Sequence, residues 1–436
     1  MGSILVPFLT DLDSRARVKG SRDPLGAQPI WTKYGRYVVG NLTTVSNSVR
    51  DFTTLMLGYY FAERIAGDAG PSSVLSTFLK WEQLAAYCRA YVNRDVTFRG
   101  TERVQDTLSN GTRVALSSAK KYQILSDQQT YGLWGLYSVP SASSGLVEQD
   151  PARLSSAALE FVESTYLPIF RDAGLPNADR VVAVLSREEA TVDLSKGDRT
   201  LCEAVARILK QRMLQKERAF YRFHLVDGGP LDATHGRQKL LADIMKRRIA
   251  PGDSLTPGLV RAFAKDAKTH GPEGETLAHY LARIAVCDSV LAAATRLFAF
   301  VQGMDGKSLD VISSRVREAW GAGVKTISPL DVLGLRAEFA TVREDSADRW
   351  MAVADNLARG DYAEAVRLVV EQNQATMAAR GGAQWVDVRS GRLHVRVRDE
   401  QGDLPSSAAL ADLLRFPYFL NSLLVVTHEL RGGSDD

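Results

Sequence analysis

The sequence predicts a mainly α, multi-domain helical protein with a small C-terminal β-hairpin. Two patterns support this fold class: apolar residues recur at helical spacing along most of the chain, whereas residues 385–398 alternate apolar and polar side chains. The chain has 436 residues, 45% of them hydrophobic and 24% charged. This length suits roughly two to four domains of about 100–200 residues each.

The first predicted domain, residues 1–99, begins with a basic arm. Glycines and prolines interrupt the chain over 11–36, so we expect irregular structure there. The residues of this arm that we expect to contact phosphate groups are Arg15, Arg17, Lys19 and Arg22. After the arm, residues 72–91 place their apolar side chains on one helical stripe and predict a helix.

Residues 100–170 form the second predicted domain. We expect a helix over 117–131, and Gly145-Leu-Val147 then leads into a polar turn. Ser155 is a typical N-cap residue for a further helix over 156–167. A helix, a short hairpin and a second helix in this order resemble the end of a winged-helix domain. The resemblance implies docking on duplex DNA.

Residues 171–380 predict a helical domain. The candidate amphipathic helices are 199–221, 237–248, 275–302, 307–319 and 345–359. Charged residues interrupt the apolar run 276–302, and a membrane span needs about 20 largely uncharged residues, so we expect a core helix there. Asp361, with Glu364 three positions later, predicts the start of another helix.

Residues 381–436 predict a β-hairpin followed by helices. The alternation over 385–398 has Ser390-Gly391 at its centre, which is typical of a hairpin turn. Two helices are expected after it, over 406–416 and 418–430, with Pro417 at the start of the second.

One local segment of the chain, residues 207–248, carries an excess of positive charge that suggests a function. The whole chain is nearly balanced, with 54 Lys and Arg against 51 Asp and Glu, but residues 207–248 contain eleven basic and four acidic residues. Phe220, Tyr221 and Phe223 lie among these charges. Basic and aromatic side chains together suit phosphate pairing and base stacking. The alternative is a solvated helix face whose aromatic residues pack inward. The predicted nucleic-acid-binding residues here are Arg207, Lys210, Arg212, Lys216, Arg218, Arg222, Lys246, Arg247 and Arg248.

The sequence shows no complete catalytic, metal or cofactor signature. It lacks the glycine-rich phosphate-binding frames, a nucleophile elbow and any paired cysteine motif. We therefore expect no catalytic residues, no metal and no cofactor. Three widely spaced cysteines suit a reducing, cytoplasmic compartment. An enzyme whose site is dispersed over several helices stays an alternative, with His224, Asp232, His235 and Arg237 as its candidate cluster.

One segment resembles a group of proteins. Asp23-Pro-Leu-Gly26, Gly40-Asn-Leu-Thr-Thr44 and Arg50-Asp-Phe52 follow one another in an order similar to the N-terminus of a loose group of uncharacterised bacterial proteins. Genes of that group often lie in defence islands beside helicases and methylases. The resemblance implies an anti-phage or DNA-processing context and carries over no catalytic residues. By their own chemistry, Thr43 or Thr44 can cap a helix that begins near Val45.

These observations predict a non-catalytic, nucleic-acid-associated subunit of a bacterial anti-phage defence or DNA-processing complex. Its expected partners are nucleic acid, with DNA favoured by the resemblance, and other protein subunits, but no membrane. The main alternative is a helical protein–protein scaffold that makes no direct contact with nucleic acid.

Overall fold

The computed structural model describes residues 22–67, 70–150, 152–342, 344–399 and 402–431. The predicted phosphate contacts Arg15, Arg17 and Lys19 lie outside these described residues. The mainly helical fold is confirmed, since helices account for most of the described chain. The strands that the structure describes form only two-stranded antiparallel pairs.

The helices and strands follow one another along the chain. The first helices are α1 (Gln28–Arg36), α2 (Val49–Ala66), α3 (Pro71–Asn93), α4 (Thr101–Ser109), α5 (Gln128–Tyr131), α6 (Leu133–Ser143), α7 (Ser156–Thr165), α8 (Leu167–Asp172), α9 (Asp179–Leu185), α10 (Arg199–Ile208), α11 (Gln215–Tyr221) and α12 (Arg237–Arg248). The later helices are α13 (Pro257–Ala267), α14 (Gly271–Gln302), α15 (Leu309–Trp320), α16 (Pro329–Leu333), α17 (Arg336–Val342), α18 (Glu344–Arg359), α19 (Tyr362–Ala379), α20 (Ser407–Ala411) and α21 (Leu420–Glu429). The strands are β1 (Arg113–Ser117), β2 (Val147–Glu148), β3 (Arg153–Leu154), β4 (Glu189–Asp193), β5 (Val386–Arg389) and β6 (Arg392–Val395).

The chain forms two compact units, each built from segments that are far apart in sequence. The first unit combines the described residues up to Val38 with Gly252–Tyr418. The second combines Val39–Pro251 with the described residues from Phe419 onward. These units do not follow the predicted segments 1–99, 100–170, 171–380 and 381–436, which stay a prediction.

The core of the first unit is organised around α14. This helix is long and apolar enough to cross a membrane by length and composition, but 72% of its most apolar window is buried inside the chain. It packs against α1, α13, α18 and α19. Its role as a core helix, predicted over 275–302, is therefore confirmed.

Helix α1 corrects the expectation of an irregular chain over 11–36. Pro29 stands in its first turn, where a missing N–H is harmless. The Asp23 carboxylate accepts hydrogen bonds from the Ala27 N–H (2.8 Å) and the Gln28 N–H (3.1 Å) and so satisfies donors at the start of the helix. Ile30 and Tyr34 are each 1% exposed. Burial of this apolar face outweighs the glycines and prolines around it.

The core of the second unit is the packing of α2 on α3. An added Cβ at Gly58 would come within 2.6 Å of the Phe78 ring, so glycine permits the close approach of the two helices. Helix α10 packs on the same α3, and α21 packs on α12. The last helix of the chain is therefore part of this core.

Two helices predicted in the second unit are wrong in extent. Residues 117–131 do not form one helix: Ser117 ends β1, where it pairs with Glu189 of β4. Short helical turns and α5 follow β1. The predicted helix 199–221 is interrupted over 209–214, between α10 and α11.

Smaller differences concern helix ends. The helix expected near Val45 begins at Val49, after Ser48, and the helix expected over 406–416 ends at Ala411. The helices predicted over 72–91, 156–167, 237–248, 307–319, 345–359 and 418–430, and the hairpin within 385–398, are confirmed. Ser155 and Asp361 cap their helices as predicted.

Candidate nucleic-acid interface

The most exposed part of the predicted basic patch is the segment 207–216, here called the basic loop. It runs from the end of α10 through the interruption into α11. Arg207, Lys210, Arg212 and Lys216 are all exposed on it. Among the residues that the structure describes, no carboxylate forms a salt bridge with Arg207, Lys210 or Arg212. These three cations are therefore available to an external anion.

A buried ion pair holds the basic loop from beneath. The side chains of Arg50 and Glu217 are 1% and 4% exposed, and Arg50 Nη1 lies 2.5 Å from Glu217 Oε1. Arg50 Nε also donates to the Lys210 carbonyl (2.7 Å), and its Nη2 donates to the Arg212 carbonyl (3.4 Å). The guanidinium thus binds the backbone of the two residues whose side chains point to solvent.

Further hydrogen bonds fix Glu217 in place. Its Oε2 accepts from the Leu214 N–H (2.6 Å), and its Oε1 accepts from the Tyr166 hydroxyl (2.9 Å). Tyr221 completes the cluster through Thr53 (2.6 Å) and Tyr166 (3.1 Å). Burial raises the pKa of Tyr166 and Tyr221, so both phenols keep their protons as donors. Arg50 and Glu217 therefore both bind the backbone of the basic loop, and this limits the movement of the backbone that carries the exposed cations.

A groove of about 750 Å³ opens beside the basic loop. Lys210 lines it together with residues from the start of α2 and the end of α3. The other lining residues are Asn47, Ser48, Asn93, Arg94, Asp95, Val96, Thr97, Gln211 and Glu429. Arg94 is exposed at the end of α3, where it takes the left-handed conformation with a φ of 56°. The groove therefore adds a second cation to the surface around Lys210.

The Glu429 side chain caps the N-terminus of α2 beside this groove. Its Oε2 accepts from the Val49 N–H (2.8 Å), one of the donors that a helix leaves unpaired at its first turn. Its Oε1 is buried without a partner. Burial raises the pKa of Glu429 to about 7. Near neutral pH this carboxyl is therefore part protonated, which reduces negative charge beside the cations.

The remaining basic residues of the predicted patch differ in availability. Arg218 and Arg222 are half-buried. Arg222 pairs with Asp243 (2.8 Å) and lies 3.5 Å from Asp227, so much of its charge is compensated. The exposed run Lys246, Arg247 and Arg248 ends α12. Cations at the end of a helix also stabilise its dipole.

Two of the three aromatic residues in the patch pack inward. Phe220 stacks on Phe161 with ring centroids 3.8 Å apart, and Tyr221 is fully buried. Phe223 is 49% exposed. Base stacking on Phe220 and Tyr221 therefore has no geometric support, while Phe223 has a ring face at the surface.

Of the four phosphate contacts predicted in the basic arm, one lies among the described residues. Arg22 is exposed in the first unit, immediately before the turn that Asp23 forms at α1. The structure supplies no description of the other three predicted arm residues, and their role stays a prediction.

Two residues of the candidate cluster for a dispersed enzyme site, Asp232 and His224, form hydrogen bonds with the backbone. Asp232 accepts from the N–H groups of Thr234 (2.8 Å) and Gly236 (2.6 Å), which builds the turn before α12. Nδ1 of the buried His224 lies 2.7 Å from the Ser144 carbonyl, and burial lowers the pKa of this imidazole. His235 is exposed. No three His, Cys, Asp or Glu side chains among the described residues are placed to hold a metal ion.

Sequence reasoning missed the buried carboxyls. Glu82 accepts from the Leu133 N–H (2.7 Å) and from Gln128 Nε2 (2.8 Å), and burial raises its pKa to about 7. Asp288, on α14, has the same raised pKa because of burial, and accepts from the N–H groups of Arg415 and Phe416. The available signal was an acid inside an otherwise apolar helical stretch, which often marks a buried hydrogen-bond acceptor.

Known proteins supply no analogy for this surface. No family model, no curated protein and no solved structure matches the chain. Any function must therefore be argued from the geometry described above.

Proposed function

We propose that this protein is a non-catalytic, nucleic-acid-associated subunit of a cytoplasmic bacterial complex for anti-phage defence or DNA processing. The basic loop would bind the phosphate backbone, with DNA as the favoured nucleic acid. In this proposal the segment 100–170, predicted as a winged-helix module, supplies additional docking on duplex DNA.

The observation that carries the proposal is the support of the basic loop by Arg50. A buried guanidinium bonded to the Lys210 and Arg212 carbonyls fixes the backbone, so the exposed cations need lose less conformational freedom on binding. Phosphate contacts by exposed Lys and Arg supply most sequence-independent affinity for nucleic acid. Arg207, Lys210 and Arg212, which form no salt bridge with a described carboxylate, would make such contacts.

The test is fluorescence anisotropy with labelled duplex DNA, single-stranded DNA and RNA across a salt series. Replacing Arg207, Lys210 and Arg212 together by Ala should weaken binding and lower the salt slope. Each phosphate contact contributes about 0.9 to that slope on duplex DNA, so the loss should be roughly 2–3.

The matched control replaces Arg261, Lys265 and Lys268 by Ala. Arg261 and Lys265 are exposed on α13 in the first unit, and Lys268 is exposed directly after it. The variant therefore removes the same charge from the chain. An equal loss of affinity in both triple variants would mean that net charge, not the basic loop, accounts for binding. No binding by the unaltered protein near 50 mM salt, where phosphate contacts are strong, would reject the proposal.

One observation favours the scaffold as a second candidate. Leu330 and Leu333 of α16 are 83% and 58% exposed, although Val332 between them is buried. Neighbouring exposed leucines suit contact with another protein. If nucleic acid does not bind, Leu330→Ser with Leu333→Ser should abolish co-purification of a partner subunit from the native host, while Ser313→Ala on α15 should retain it.

A further inference from the structure

A second cationic groove lies in the second unit, away from the residues of the basic loop. Its volume is about 560 Å³, within the range of about 300–1,000 Å³ that is usual for small-molecule sites. Helix α4 forms one wall and the short helical turn Lys120–Tyr122 forms the other. Tyr87, Ala115 and Ile124 contribute uncharged lining.

The charges around this groove are unequal. Arg103, Lys120 and Lys121 line it as cations, and Asp106 is the single carboxylate among the lining residues that the structure gives for it. All three cations are exposed, and none of them forms a salt bridge with a described carboxylate. The groove therefore offers an excess of positive charge to a small ligand.

Hydrogen bonds hold the two walls in position. Arg103 Nη1 donates to the Gln123 carbonyl (3.1 Å), which ties α4 to the turn. Gln123 in turn donates from Nε2 to the Ser118 carbonyl (2.9 Å), and its Oε1 accepts from the Gln128 N–H (3.0 Å). The walls are thus linked without a ligand.

The lysine side of the groove is also anchored. The Tyr122 hydroxyl donates to Glu189 Oε1 (2.7 Å), which fixes the ring to the start of β4. Lys121 Nζ lies 4.4 Å from the centroid of that ring. The Tyr122 hydroxyl occupies one oxygen of Glu189, and neither Lys120 nor Lys121 forms a salt bridge with that carboxylate.

From this geometry we propose that the groove binds a phosphorylated small molecule, with Arg103, Lys120 and Lys121 holding a phosphoryl group of at least two negative charges. Three cations on two facing walls can donate to several oxygens of one phosphoryl group, and such charge-assisted hydrogen bonds are the strong ones. The volume leaves room for the organic part of a mononucleotide-sized ligand. This site does not depend on the basic loop or on nucleic-acid binding.

The experiment is isothermal titration calorimetry of the full chain with ATP, pyrophosphate and inorganic phosphate at low salt. A short single-stranded oligonucleotide is the fourth probe, because its phosphodiesters share the same chemistry. We expect ATP and pyrophosphate to bind at least tenfold more tightly than inorganic phosphate. The double variant Lys120→Ala with Lys121→Ala should bind ATP and pyrophosphate at least tenfold more weakly than the unaltered protein. Adding Arg103→Ala to the double variant should weaken the binding of both ligands further.

The matched control is Arg113→Ala, which removes an exposed cation of β1 that does not line the groove. It should retain the affinity of the unaltered protein, and circular dichroism should show that all variants are folded. Absence of binding by every small probe, or equal binding by the double lysine variant, would overturn the proposal. Binding of the oligonucleotide alone would also overturn it, and loss of that binding in the double lysine variant would assign the groove to nucleic acid. If the small probes bind while the basic-loop variant leaves oligonucleotide binding unchanged, the groove stands and the proposed function fails.

Discussion

At the scale of single residues, the buried carboxyls have the clearest consequence for behaviour in solution. Glu82, Asp288 and Glu429 each have a pKa raised to about 7 by burial. A carboxyl with a raised pKa holds its proton in the folded chain at pH values where the unfolded chain has lost it. The free energy of unfolding therefore falls as pH rises through this window.

Glu429→Gln tests this dependence at one carboxyl. Its ordinary pKa is 4.5, so its contribution is complete below that pH and is lost as pH rises to about 7. The amide keeps an oxygen for the Val49 N–H and does not ionise. Urea unfolding should show a smaller decline in stability between pH 5 and pH 7.5 for the variant, by on the order of 2 kcal/mol. An unchanged decline would mean that Glu429 is ionised in the fold. Glu203→Gln, at an exposed i,i+4 pair, should leave the decline as it is.

At the scale of elements, the interruption between α10 and α11 is the feature that local sequence could not predict. The apolar and basic periodicity over 199–221 fits one continuous helix. Arg50, more than 150 positions earlier, donates hydrogen bonds to the Lys210 and Arg212 carbonyls. Glu217 accepts a hydrogen bond from the Leu214 N–H. The Arg50 partner is distant in sequence and overrides helix propensity, and no local pattern reveals it.

Glu217→Gln should therefore loosen the basic loop as well as destabilise the fold. Removing one partner of a buried ion pair costs about 3–5 kcal/mol, because the other charge is left uncompensated. Hydrogen exchange of amides over 209–214 should accelerate more than exchange elsewhere in the second unit. Arg199 and Glu203 form an exposed pair, so Glu203→Gln should cost less than about 1 kcal/mol. Similar costs for the two variants would contradict the role given to Arg50 and Glu217.

Elements set by local chemistry were predicted well. Ser155 and Asp361 cap helices as their sequence context indicates, and Ser390-Gly391 turns the hairpin of β5 and β6. Strand β1 was missed because its partner β4 lies more than 70 residues further along the chain. The sequence indicated which cations belong to the candidate interface. Whether each cation is available to an external anion depends on carboxylates elsewhere in the sequence, such as the Asp243 that pairs with Arg222.

At the scale of the whole molecule, each unit takes a helix from the far end of the chain. Helix α1 packs on α14 in the first unit, and α21 packs on α12 in the second. The four-segment division predicted from composition runs along the chain and does not anticipate this arrangement, because composition contains no information about which distant segments pack together.

This arrangement predicts the behaviour of a cut chain. A specific protease site inserted between Pro251 and Gly252, which are both exposed, should be cleaved without loss of structure. The two fragments should elute together in native size-exclusion chromatography, since α1 belongs to one fragment and α14 to the other. In urea they should separate. Fragments that separate under native conditions would show that contacts within each unit are too weak to hold them.

The position of α21 also bears on how the protein is made. A ribosome releases the chain from its N-terminus, so α1 emerges long before α14, the helix on which it packs. The core of the second unit is completed later still, because α21 ends only at Glu429. Neither unit can complete its core while most of the chain is being synthesised. The nascent chain therefore exposes apolar helix faces until α21 has left the ribosome, and this interval is when chaperone binding or aggregation would compete with folding.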